Sequence, residues 1–92
     1  MNADPRLLEV ASRLIWWKDP DEALADERRF LAQAMTDASL TDMTFIRRVF
    51  GDNALRNVLA DPPPGVFDQR SWGYWHLIFG LEPVPPLPRR RL

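Results

Sequence analysis

Ten consecutive residues, Ser71-Trp72-Gly73-Tyr74-Trp75-His76-Leu77-Ile78-Phe79-Gly80, constrain this chain more than any other stretch. Wound as an α-helix at about 100° per residue, they leave only Gly73, His76 and Gly80 on one narrow stripe, and everything else except the capping Ser71 is apolar. A helix of that kind has no face for water. Either it lies at the centre of a small core or it gives part of its apolar surface to another protein.

Four further helices precede it in the sequence pattern. Asp4-Pro5 is a cap followed by proline at the first helical position, and Leu7, Leu8, Ala11, Leu14 and Ile15 then recur at three and four, predicting a first helix to about Trp16. A second cap-plus-proline, Asp19-Pro20 with Glu22 as a capping-box partner, opens a helix expected from Pro20 to Thr36 with Leu24, Phe30, Leu31, Ala34 and Met35 inward. The third begins near Ser39 to Thr41, presents Met43, Phe45, Ile46, Val49 and Phe50 to the core and Arg47 and Arg48 to solvent, and stops at Gly51 as a left-handed residue. A short fourth, capped by Asp52, turns Ala54, Leu55, Val58 and Leu59 inward, and Asp61-Pro62-Pro63-Pro64-Gly65 ends it. The fifth is capped at Asp68 or Ser71, runs to Gly80 and should be the central element. No period-two strand pattern persists anywhere. The expected fold is all-α, a compact bundle of about five short helices over residues 1–82. An extended proline-rich tail over 83–92 follows, its prolines at 83, 85, 86 and 88 favouring polyproline II.

Size and composition narrow the function classes. A chain of 92 residues is one domain with a thin stability margin. Its hydrophobic content of 46% and charged content of 27% are those of a globular protein. No apolar run approaches the roughly 20 residues of a membrane span. The start Met1-Asn2-Ala3-Asp4-Pro5 lacks the pattern of a signal peptide, and cysteine is absent, so the expected location is the cytoplasm, without disulfides or a cysteine metal site. Net charge is −1 but polarised: residues 1–45 carry nine acids against five bases, residues 46–92 four acids against seven bases, three of them in Arg89-Arg90-Arg91. A solvated surface with a basic tail accounts for this without a ligand.

The motifs that could carry chemistry read mostly as structure. The pair of helices joined at Gly51 invites a helix-turn-helix comparison, but the position four before the glycine, which should be small, is Arg47, and the inward aliphatic expected six after it is Asn57. His76 is the single histidine and has no companion ligands on its helix. Asp19, Asp21, Glu22, Asp26 and Glu27 sit where the first turns of a helix favour negative charge. Hydroxyls at Ser12, Ser39 and Ser71 lie in neither a nucleophile elbow nor a phosphate loop. No catalytic, cofactor or metal residue is assigned, and the protein is read as no enzyme. Four tryptophans are a heavy load for so small a core, so Trp16, Trp17, Trp72 and Trp75 are candidate partner-binding residues. The tail segment Pro85-Pro86-Leu87-Pro88-Arg89-Arg90 fits a short SH3-ligand pattern, and Arg89, Arg90 and Arg91 form a basic tip to a stiff arm.

Taken in order, Ile15-Trp16-Trp17-Lys18-Asp19, Arg29-Phe30-Leu31-Ala32-Gln33-Ala34-Met35, the Phe50-Gly51 stop and Ser71-Trp72-Gly73-Tyr74-Trp75-His76-Leu77 resemble a family of small bacterial proteins. Its members look like companions of nucleotidyltransferase toxins of the abortive-infection kind. The similarity spans roughly Arg13 to Gly80, with one departure: Thr36-Asp37-Ala38-Ser39 stands where the family places a glycine turn. The resemblance implies an antitoxin-like role, binding and neutralising a toxin partner, and carries over no catalytic residue. The alternative is a nucleic-acid-binding transcriptional regulator, acting as a homodimer on its own operator.

Overall fold

Six helices, with no strand among the described residues, make up the computed structural model, which describes residues 4–87. They are α1 (Pro5–Leu14), α2 (Pro20–Ala25), α3 (Glu27–Asp37), α4 (Leu40–Phe50), α5 (Asp52–Ala60) and α6 (Gln69–Ile78). The all-α class expected from periodicity is what the chain adopts. The hub, however, is α3, which packs against α1, α2, α5 and α6. It can do so because Phe30, Leu31, Ala32, Ala34 and Met35 are all buried, more than a single stripe of the helix.

The expected second helix is two. Asp26 leaves helical geometry (φ −97°, ψ 75°), and its carboxylate accepts a hydrogen bond from the Arg29 amide at 3.3 Å. A short polar side chain offers the backbone this local alternative to continuing the helix, so Asp26 ends α2 and caps α3. At the other break, Asp19 caps α2 by position alone, without the side-chain bond of a capping box. Between α3 and α4 no glycine is needed: Ala38 and Ser39 are extended (ψ 148° and 163°), and the Ser39 hydroxyl accepts from the Asp42 amide at 3.1 Å.

Gly51 does stop α4 at positive φ, but with ψ 156° rather than in the left-handed helical well, a region essentially restricted to glycine. It is also the N-cap of α5, so Asp52 is the first helical residue and not the cap. From there its carboxylate takes two bonds from Arg47, Nε at 2.9 Å and Nη2 at 3.0 Å. Arg47 is accordingly half-buried and paired, while Val49, expected inward, is exposed. The far end of α5 is closed by Arg28 of α3, which donates to the carbonyls of Asn57 and Asp61 at 3.0 and 2.8 Å.

Helix α1 stops at Leu14 and not Trp16. Its buried side is Leu7, Val10 and Ala11, with Ile15 at the C-cap; Val10 was absent from the expected stripe and Leu8 is only half-buried. Helix α6 starts with a reciprocal capping box: Asp68 accepts from the Ser71 amide at 2.7 Å, and the Asp68 amide donates to Ser71 Oγ at 3.2 Å. It ends in a Schellman turn, with Gly80 at φ +64°, its amide on the Leu77 carbonyl at 3.1 Å and the Leu81 amide on the His76 carbonyl at 2.8 Å.

Candidate protein-interaction surface

The four tryptophans divide cleanly. Trp72 and Trp75 point inward from α6 and are almost fully buried. The Trp72 indole N–H donates to the Pro85 carbonyl at 2.8 Å, and its ring packs between Phe67 and His76. The Trp75 indole N–H donates to the Met35 carbonyl at 2.7 Å, its ring stacking on Phe79. His76, placed by the sequence on the polar stripe, is buried too; its Nδ1 lies 2.7 Å from the Trp72 carbonyl, an acceptor, so Nδ1 carries the proton. These side chains form the core around α6 and present nothing to a partner.

The Trp72 bond also corrects the expected free arm. The segment after Gly80 has no regular structure, yet Pro85 is tied to Trp72 and Leu87 is half-buried against the core, so the chain up to Leu87 belongs to the helical body. Arg89, Arg90 and Arg91 lie outside the described residues.

Trp16 and Trp17 are the opposite case. Ile15 turns into the core, the Lys18 amide closes a turn on the Ile15 carbonyl at 3.2 Å, and Asp19, preceding proline, is held extended. The two indoles are left on the outside of this corner, 77% and 56% exposed, edge-to-face with centroids 5.6 Å apart. A groove of about 440 Å³ runs beside Trp17, bordered by Lys18, Asp26, Arg29 and Val66. The first turn of α2 adds Asp19, Asp21 and Glu22, all exposed, and none joins an ion pair among the described residues.

A second apolar surface escaped assignment from the sequence. Tyr74, Leu77 and Ile78 of α6, and Leu81 just beyond it, are 50%, 68%, 44% and 37% exposed. The spacing of three and four puts Tyr74, Leu77 and Ile78 on one face of α6, opposite the buried Trp72, Trp75 and His76, while Leu81 lies past the helix end. The signal lies in that spacing, on the same helix whose other face carries the bulkier Trp72 and Trp75. At its N-terminal end this stripe borders a groove of about 450 Å³ between α3, α4 and α6, lined by Met35, Leu40, Met43, Arg47, Arg70 and Tyr74 among others.

The helical hairpin at Gly51 is held by the Arg47–Asp52 pair, which draws the Asp52 carboxyl below its ordinary range through the guanidinium hydrogen bond. Asn57 faces solvent on α5. Among the described residues, no three acidic or histidine side chains come together in a way that could hold a metal ion, and no helix is long and apolar enough to cross a membrane. No protein-family model, curated protein or solved structure matches this chain significantly.

Proposed function

We propose that this chain is a protein-interaction module with an antitoxin-like role, binding a toxin partner and blocking it; the sequence resemblance implies a nucleotidyltransferase-type toxin. The observation that carries this reading is the exposed Trp16–Trp17 corner. Two adjacent tryptophans left in water, with no core to fill, are costly for a small domain and are typical of the desolvated centre of an interface.

The surrounding charge favours a basic face on the partner. Asp19, Asp21 and Glu22 flank the indoles, and an enzyme that handles nucleotide phosphates needs cationic groups about its site. Carboxylates pair with those cations, and indole faces attract the same groups through cation–π contact. Occupying the phosphate-binding lip of the toxin would exclude its substrate. The basic run Arg89 to Arg91 is the natural counterpart of the carboxylates with which such an enzyme holds its metal.

Co-expression tests the reading. The toxin alone should arrest growth, the pair should grow, and the two proteins should co-purify. The double variant Trp16→Ala/Trp17→Ala should keep the wild-type melting temperature and weaken the complex by about thirtyfold or more. Protection without any measurable complex would overturn direct binding in favour of action on the target or on transcription. A complex indifferent to the double variant would remove the corner from the interface.

A further inference from the structure

We infer that the groove between α1 and α4 is a binding site for a terminal phosphate group, one with at least three free oxygens. The groove, of about 310 Å³, is lined by Arg6 of α1 and by Leu40, Thr41, Thr44, Phe45 and Arg48 of α4, so it carries two guanidinium groups, two hydroxyls and no carboxylate. Thr41, Thr44 and Arg48 share it because their spacing of three and four sets them on one face of α4. Arg6 joins them from α1 by stacking its guanidinium on the Phe45 ring, 4.4 Å from the centroid. That contact holds the flat face of the group and leaves its N–H edge free to donate.

The acids of the same two helices are engaged elsewhere. Asp42 takes two bonds from Arg13 at 2.8 and 2.9 Å, Glu9 takes another from Arg13 at 2.8 Å, and the Asp4 carboxylate caps the Arg6 amide at 2.8 Å. Arg6 and Arg48 form no ion pair among the described residues, so two like charges line one small groove. The number of oxygens decides what can answer them. A carboxylate has two, which a single guanidinium fork fills. A phosphate monoester has three and carries up to two negative charges at pH 7, so it can take both arginines and the Thr41 hydroxyl together. Thr44 contributes no donor, its hydroxyl being given to the Leu40 carbonyl at 2.9 Å. Inorganic phosphate and a nucleoside 5′-monophosphate both present such a group.

NMR of the full chain at low ionic strength, titrated with inorganic phosphate and separately with adenosine 5′-monophosphate, reads the site through the Nε–H signals of Arg6 and Arg48 and the Thr41 amide. Both ligands should bind saturably and shift those signals but not the Nε–H of Arg56 on α5, and the tighter of the two identifies the source of the phosphate. Arg6→Gln and Arg48→Gln should each raise the dissociation constant by about tenfold or more, while Arg56→Gln leaves it unchanged. Both arginines are exposed, so the fold should survive, as far-UV circular dichroism would show. Dimethyl phosphate, with fewer free oxygens and a single charge, should bind about tenfold more weakly than inorganic phosphate. Absence of a saturable shift with either ligand overturns the proposal, as does a response that Arg56 shares equally. Dimethyl phosphate bound as tightly as inorganic phosphate overturns the assignment to a terminal phosphate.

Discussion

Replacing Trp75 first by phenylalanine and then by alanine separates two contributions of one side chain. The last carbonyls of α3 have no partner within the helix. That of Ala34 receives the Ala38 amide at 2.9 Å, and that of Met35, which is buried, receives the Trp75 indole N–H at 2.7 Å. Trp75 is thus both a core ring and the donor that closes the end of the hub helix. Phenylalanine keeps a ring beside Phe79 but removes the donor, leaving a buried carbonyl unsatisfied at a cost of about 1–3 kcal/mol. Alanine adds the loss of packing, about 3–5 kcal/mol. Against a total stability of about 5–15 kcal/mol, the first variant should fold and the second should be close to unfolding. With about 4–8 °C of melting temperature per kcal/mol at this chain length, Trp75→Phe should melt some 5–20 °C below wild type. Thermal and urea unfolding followed by far-UV circular dichroism measure both. A phenylalanine variant as stable as wild type would show that the Met35 carbonyl does not depend on the indole. An alanine variant no worse than phenylalanine would show that the ring is not packed.

Two further outcomes follow from the same core. Truncation after Glu82 removes the Pro85 carbonyl from Trp72 and Leu87 from the helices, about 1 kcal/mol each, so the melting temperature should fall by roughly 5–15 °C; an unchanged value would mean the segment is a free arm after all. The Asp68 carboxyl is held below its ordinary range by the Ser71 amide and hydroxyl, so its contribution is complete above about pH 4 and is lost as pH falls through the lowered folded value. Wild type should therefore lose more of its urea midpoint between pH 7 and pH 3 than Asp68→Asn, whose cap does not titrate, and equal losses would show that Asp68 is not the group responsible.

Much of the helical order was legible in the residues. Asp4-Pro5, Ser39 and Gly51 mark starts and stops by local chemistry, and the structure uses each of them; of the two caps open for the last helix, Asp68 or Ser71, it takes Asp68 with Ser71 as its reciprocal partner. The misreadings share one cause. Asp26 breaks a helix that its neighbours would have continued, because a carboxylate that can bond an amide three residues on competes with the helix from inside it. Arg47 looks like a surface cation until the turn at Gly51 brings Asp52 under its guanidinium. His76 looks polar until Trp72, one turn earlier, offers its carbonyl.

The sequence by itself determined that this chain is all-α, where most helices start and stop, and that α6 carries more apolar surface than a solvated helix can bear. Those are properties of short stretches, written in caps, prolines and periodicity. Only the tertiary structure decided which tryptophans are core and which are surface. Trp16 and Trp17 stay in water because the chain turns Ile15 inward and Asp19 cannot be helical before proline; Trp72 and Trp75 are buried because the Pro85 and Met35 carbonyls, 13 and 40 residues away, receive their N–H groups. An indole has the same composition in either place, and its fate depends on partners that are distant in the chain.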